Sequence, residues 1–125
     1  MRLLLDTHAF LWWTTDSKAL KQDAKSAIID PANQIFLSTI SIWELGLKKA
    51  LRRLILPEEI EEELALRRIE VLPITAAHAV RAPRLPLIHS DPFDRMLIAQ
   101  AQIEKLTIVT RDREFADYDV AILKT

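Results

Sequence analysis

The chain has 125 residues, half of them hydrophobic, a formal net charge of −1 and no cysteine. That length and apolar content suit one domain with its own core, and the near-neutral charge excludes a globally basic nucleic-acid binder, so contacts to phosphate must come from local patches. The missing cysteines exclude disulfides, thiolate metal sites and cysteine nucleophiles, and leave oxygen and imidazole as the available metal ligands.

The first apolar run, Leu3–Leu5, ends at Asp6. It is too short for a signal-peptide core or a membrane span, and a soluble, cytoplasmic protein is expected. Similar short runs recur at Ile35–Leu37, Ile69–Leu72, Thr107–Val109 and Val120–Leu123, and continuous hydrophobicity of this kind suits strands buried on both faces. Between them, apolar residues spaced three and four apart predict helices over Ser17–Ile29, Ser41–Leu54, Glu58–Arg68, Thr75–Arg81 and Pro92–Lys105. One glycine and six prolines favour helices joined by short connections over a turn-rich β architecture. The alternation predicts a three-layer α/β/α sandwich around a five-stranded, mainly parallel sheet spanning residues 1–125 as a single domain. In such sheets ligands bind beyond the carboxyl ends of the strands, where the strand order reverses.

Four carboxylates fall near that rim. Asp6 follows the first strand, Glu44 lies early in the helix after the second, Asp94 opens the helix before the fourth, and Asp112 lies just beyond the fourth. Each also has a structural explanation. Asp6 and Asp112 suit helix N-caps, Ser41 with Glu44 fits a capping box, Asp91-Pro92 reads as an N-cap and first helical position, and Asp94 complements the helix dipole. Caps alone do not account for four acids at one end of one sheet. Clustered carboxylates repel each other unless a cation neutralises them, and an all-oxygen set suits Mg²⁺ or Mn²⁺. A cation so held can activate water against a phosphodiester, so the residues point to a metal-assisted phosphohydrolase.

The blocks LLLDTHAFLWW, SIWELGLKKA, HSDPFDRMLIAQA and LTIVTRDREF resemble, in order and spacing, those of PIN-domain ribonucleases of the VapC-like toxin type, and the likeness covers nearly the whole chain. The resemblance implies Asp6, Glu44, Asp94 and Asp112 as the catalytic acids, with Asp6, Asp94 and Asp112 on the metal, and Thr110 in the small hydroxyl position beside the last acid, where it is expected to contact substrate together with Arg95 and Arg111. It further implies strand order 3-2-1-4-5, cleavage of RNA within the strand, a homodimer, and a cognate VapB-like antitoxin that covers the active site.

Asp91 stands three residues from Asp94 and either caps the helix or touches the metal or its waters. Arg95, Arg111 and Arg113 adjoin the acids and either bind phosphate or pair with them. His8 and His89 read as orienting or packing residues rather than bases, and His78 as structural. Lys48, Lys49, Arg52 and Arg53 form a stripe that is either an RNA track or a solvated face. Phe10, Leu11, Trp12, Trp13 and Trp43 exceed what a small core absorbs, which suggests a partner surface.

Three other functions compete. A haloacid-dehalogenase-like phosphatase needs an aspartate where His8 stands, and a phospho-receiver needs a lysine after a late strand near the acids. A catalytically silent PIN-like module that binds RNA or protein would not need four intact carboxylates.

Overall fold

The computed structural model describes residues 1–51 and 59–125. Five strands, β1 (Arg2–Leu5), β2 (Gln34–Ser38), β3 (Ile69–Leu72), β4 (Thr107–Thr110) and β5 (Ala121–Lys124), form one sheet in the order β3-β2-β1-β4-β5. Every neighbouring pair is parallel, with Leu5 opposite both Leu37 and Val109. The helices are α1 (Thr7–Thr14), α2 (Gln22–Ile29), α3 (Thr39–Ala50), α4 (Ile60–Leu66), α5 (Ala76–Arg81) and α6 (Pro92–Glu104).

The apolar strand runs divide by parity between two cores, because successive side chains leave a strand on opposite faces. Leu3, Leu5, Ile35, Leu37 and Val109 meet Phe10 of α1, Ala24 and Ile28 of α2, Leu45 of α3 and Leu64 of α4. Leu4, Phe36 and Ile108 face the other way, onto Leu97, Ile98 and Ala101 of α6 and onto Phe115 and Tyr118. Each buried leucine or isoleucine contributes about 1.5–3 kcal/mol by leaving water. Helices therefore cover both faces, giving the three layers the sequence predicts.

The helix limits differ from the expectation where long-range contacts intervene. The predicted Ser17–Ile29 helix begins only at Gln22: Asp16 adopts a left-handed φ of 52°, and the Lys21 amide donates to Thr125 Oγ1 at 3.0 Å. α3 starts at Thr39 and not at Ser41, because Ser38 Oγ caps it by accepting from the Ile40 amide at 3.1 Å. The proposed Ser41–Glu44 capping box is therefore absent, and the Ser41 hydroxyl instead lies 3.1 Å from Thr7 Oγ1, to which it donates while the Thr7 hydroxyl donates to Glu44. α6 stops at Glu104 because Lys105 turns left-handed, with φ 56°, while Leu106 N donates back to Ala101 O at 2.9 Å. The end of the Ser41–Leu54 prediction, the start of the Glu58–Arg68 prediction, and Arg52 and Arg53 lie outside the described residues.

α1 is missing from the helices predicted by apolar spacing, although Asp6 as an N-cap points to its start. Ala9, Phe10, Leu11, Trp12 and Trp13 make it apolar on nearly every side, so no period of 3.6 stands out. Among the described residues no helix is long and apolar enough to cross a membrane.

Candidate active site

The chain winds from β1 outward to β3 and then crosses back to β4 on the other side of β1. This reversal opens a crevice at the carboxyl ends of β1 and β4, where a parallel sheet of this kind binds ligands. Asp6 leaves β1 directly into α1 and caps it, Oδ1 accepting from the Ala9 amide at 2.7 Å. Asp112 leaves β4 two residues on and caps a short 3-10 turn, Oδ1 accepting from the Glu114 amide at 2.9 Å. Asp94 arrives from the first turn of α6, whose cap is Asp91, bonded to the Phe93 amide at 2.8 Å. Asp6 and Asp112 therefore cap as expected, and the caps leave all three acids Asp6, Asp94 and Asp112 free to line one space.

Asp6, Asp94 and Asp112 line one cavity of about 320 Å³ with His8, Trp12, Arg111 and Phe115. Glu44 stands apart from its lining. It is buried and accepts from Thr7 Oγ1 at 2.6 Å, with Lys48 Nζ 3.2 Å away. Its charge nevertheless reaches Asp94.

Charge accumulates in this space. Burial pushes the Asp6 carboxyl above its ordinary 3.8, and the charge of Asp112 adds to the rise, while the Thr110 hydroxyl, the Ala9 amide and His8 oppose it. Asp94 rises from 3.8 to about 7: burial contributes most, then the charge of Asp91, with further pushes from Asp6 and Glu44 against the relief given by His89. A carboxyl half-protonated near neutral pH marks a site with more negative charge than the protein itself compensates.

His89 partly fills that deficit. Its Nε2 lies 2.8 Å from Asp112 Oδ2, 3.0 Å from Asp94 Oδ2 and 3.6 Å from Glu114 Oε2. Burial disfavours its charged form, but the hydrogen bond to Asp112 and the fields of Asp94, Asp112 and Glu114 outweigh burial and raise its pKa above 6.5. The imidazole sits where a cation is wanted. Sequence reading expects His89 to orient or pack; here its ring contacts three carboxylates, Asp94, Asp112 and Glu114.

Glu114 was not among the expected site residues, although it stands two positions beyond Asp112 in the same block. Among the described residues, the donor atoms of His89, Asp112 and Glu114 are the trio lying within 4.8 Å of one another. Of that trio only Asp112 lines the cavity with Asp6 and Asp94, which are not part of the close group. The carboxylate oxygens of Asp6, Asp94 and Asp112 and their mutual repulsion fit a divalent cation.

Two expected substrate contacts take other roles. Arg95 is buried and spends its guanidinium on main-chain carbonyls, with Nη2 2.9 Å from both Ala82 O and Leu85 O, and Nη1 3.0 Å from Pro86 O. Both of its Nη groups thus fasten the loop before α6 and do not face the cavity that Asp94 lines. Thr110 is also buried; its Oγ1 accepts from the Asp112 amide at 3.0 Å and its hydroxyl bonds Asp6, so it orients the acids. Arg111 is exposed at the cavity edge, its guanidinium 4.2 Å from the Trp12 ring centroid. His78 is structural as expected, fully buried, with Nδ1 accepting from Thr75 N at 3.0 Å and Nε2 2.9 Å from Glu104.

The aromatics divide. Phe10 belongs to the core, Trp12 to the cavity wall, and Trp43 is 59% exposed. A larger concavity of about 810 Å³ beside α5 and α6 is lined mainly by Ala76, Val80, Leu85 and Ile103, with Asp119 its one acid, and it lacks the converging titratable groups of the smaller one.

Residues 3–121 match the PIN domain family. The chain is 30% identical over 121 residues to ribonuclease VapC22 of Mycobacterium tuberculosis, covering 93% of this chain and 91% of that one. The fold is similar to a chain of the VapBC2 complex from Rickettsia felis bound to a fragment of promoter DNA, with TM-score 0.70 and 17% identity over 100% of this chain and 99% of that one. It is also similar to a chain of the FitAcB structure from Neisseria gonorrhoeae, with TM-score 0.69 and 24% identity over 98% and 96%.

Proposed function

The chain belongs to the PIN-domain family, and from that premise we propose that it is a metal-dependent endoribonuclease, the toxin of a VapBC-type toxin–antitoxin pair. In this reading one domain over residues 1–125 works in the cytoplasm, hydrolyses phosphodiester bonds of RNA with Mg²⁺ or Mn²⁺, and is restrained by a VapB-like antitoxin. The observation that carries it is the convergence of Asp6, Asp94 and Asp112 on one cavity at the β1–β4 crevice.

Asp6, Asp94 and Asp112 would hold the cation, with Glu44 adding charge behind Asp94. When bound, such a cation supplies an acidified water and polarises a phosphoryl oxygen. The protein's own groups do the positioning. The caps at Ala9 and Glu114 fix the orientations of Asp6 and Asp112, and Thr110 ties the two together. The Thr7–Glu44 bond joins α1 to α3 behind the cavity. His89 holds a proton at Nε2 between Asp94 and Asp112, and Arg111 offers a guanidinium at the cavity edge to a phosphate oxygen.

Trp43, Leu47 and Leu51 recur every fourth residue along and just beyond α3 and are exposed. That apolar stripe supports a protein partner, either the antitoxin or a second copy in a homodimer.

Incubation of the purified protein with single-stranded RNA tests the activity. Cleavage is expected with Mg²⁺ or Mn²⁺ and none in chelator, and Asp6→Asn is expected to lower the rate about a thousandfold while the circular dichroism spectrum stays native. Cleavage that persists in chelator, or in Asp6→Asn, overturns the mechanism. RNA bound but left uncut under all conditions would mark a binding module instead.

A further inference from the structure

The acidic cavity has a basic neighbour. Lys18, Lys21, Arg111, Arg113 and Lys124 surround a cleft of about 480 Å³ completed by Ala19 and Thr125, with no Asp or Glu in its lining. None of the five cations takes part in an ion pair among the described residues. In a chain of formal net charge −1, five unneutralised cations in one concavity create a local positive field that the overall charge conceals.

The cleft is built from distant parts of the chain and fixed to the site. Lys18 and Lys21 come from the turn before α2, Arg111 and Arg113 from the loop after β4, and Lys124 from β5. The Lys21 amide donates to Thr125 Oγ1 at 3.0 Å, and the Thr125 amide to Thr110 O at 3.0 Å. This chain of bonds ends at the residue that orients Asp6 and Asp112.

Arg111 lines both spaces. Its guanidinium is held against Trp12, 4.2 Å from the ring centroid, and reaches Ala19 O at 3.5 Å. Trp12 in turn lies 5.6 Å, ring centre to ring centre, from His8. The acidic cavity and the basic cleft therefore share one wall with a positioned cation in it.

We infer that this cleft holds the phosphate backbone of the RNA strand immediately beside the bond that is cut, with Arg111 bridging the flanking phosphates and the scissile one. The inference rests on the ribonuclease reading above. A cavity of carboxylates repels a polyanion, so the strand must be retained by cations just outside it, and its affinity will then fall with salt as condensed counterions are released. An acidic protein segment would also fit the charge. It gains nothing from the shared wall, however, whereas an RNA strand continues from one space into the other with its own repeat of phosphates.

The test is the triple variant Lys18→Ala/Lys21→Ala/Lys124→Ala, all exposed side chains, against wild type. Fluorescence anisotropy with a labelled single-stranded RNA in chelator reads binding without cleavage, over a series of KCl concentrations. The variant is expected to bind about tenfold more weakly or worse, and its log–log salt slope to fall by about 2, since three contacts each contribute about 0.7 on a single strand. In metal-supplemented assays KM should rise with kcat nearly unchanged. An unchanged thermal midpoint verifies the fold.

Equal affinity and slope in the two proteins overturn the inference, even if wild type cleaves RNA well. The same holds if poly-glutamate binds wild type more tightly than RNA and loses affinity in the variant. Loss of RNA binding in the variant, with no cleavage by wild type under any metal, supports the cleft and removes the nuclease reading instead.

Discussion

Two histidines each meet carboxylate in this molecule, and they do so in opposite ways. His78 is fully buried, accepts from the Thr75 amide, and faces one carboxylate, Glu104. His89 faces three, Asp94, Asp112 and Glu114. The first constellation is balanced, with each buried polar atom of the ring partnered once. The second holds one imidazole against an excess of negative charge that pushes Asp94 up to about 7. A satisfied polar group in a small fold contributes to stability, while an unbalanced cluster costs stability and is kept for what it binds.

The comparison is broken most severely through activity. Asp112→Asn is expected to lower metal-dependent RNA cleavage about a thousandfold, whereas His78→Ala should leave the rate per folded molecule unchanged; a fall in the His78 variant beyond its loss of folded protein would put that residue in the catalytic machinery.

Stability should rank them in reverse. His78→Ala removes the acceptor of the Thr75 amide and leaves a void where a fully buried ring stood, an expected loss of about 3 kcal/mol in denaturant titration. Asp94→Asn should gain stability in chelator at pH 8. The rise of its carboxyl from 3.8 to about 7 sets a ceiling of about 4 kcal/mol, and partial solvent contact screens this to about 2 kcal/mol.

The smallest effect concerns pH. A carboxyl whose folded pKa is raised from 3.8 to about 7 binds more protons in the native state across that interval, so its contribution to stability is present below pH 4 and is lost as pH rises through 7. Asp6 and His89 are shifted in the same direction. Chelated protein should therefore melt several degrees higher at pH 6 than at pH 8. Asp94→Asn should flatten that dependence, and Mn²⁺ should raise the midpoint at pH 8; a melting point that climbs with pH in chelator contradicts the electrostatic picture.

The strands could be read from the sequence because burial on both faces leaves uninterrupted apolar runs such as Leu3–Leu5 and Thr107–Val109. α1 could not, because a helix wedged between the core and the cavity has no polar face to set a period. Asp6, Asp94 and Asp112 were visible as acids at strand and helix ends. His89 and Glu114 were harder to find: the separation of 23 residues between His89 and Asp112 is closed only by the packing of α6 against the sheet, and no local pattern encodes it. Arg95 misled for the same reason. Its place next to Asp94 in sequence suggested phosphate, but the adjacent position on α6 points to the loop carbonyls.

The capping bonds of Asp6 and Asp112 carry a further consequence. In Asp112 one oxygen closes the helical turn at Glu114 and the other faces His89, so folding and chemistry draw on different atoms of a single short side chain. Glutamate, with an extra methylene, reaches too far to cap in the same way, and serine or asparagine caps without the charge. Among the natural side chains, aspartate alone serves both demands, so these two positions should tolerate no exchange even for the most similar residue of the same sign.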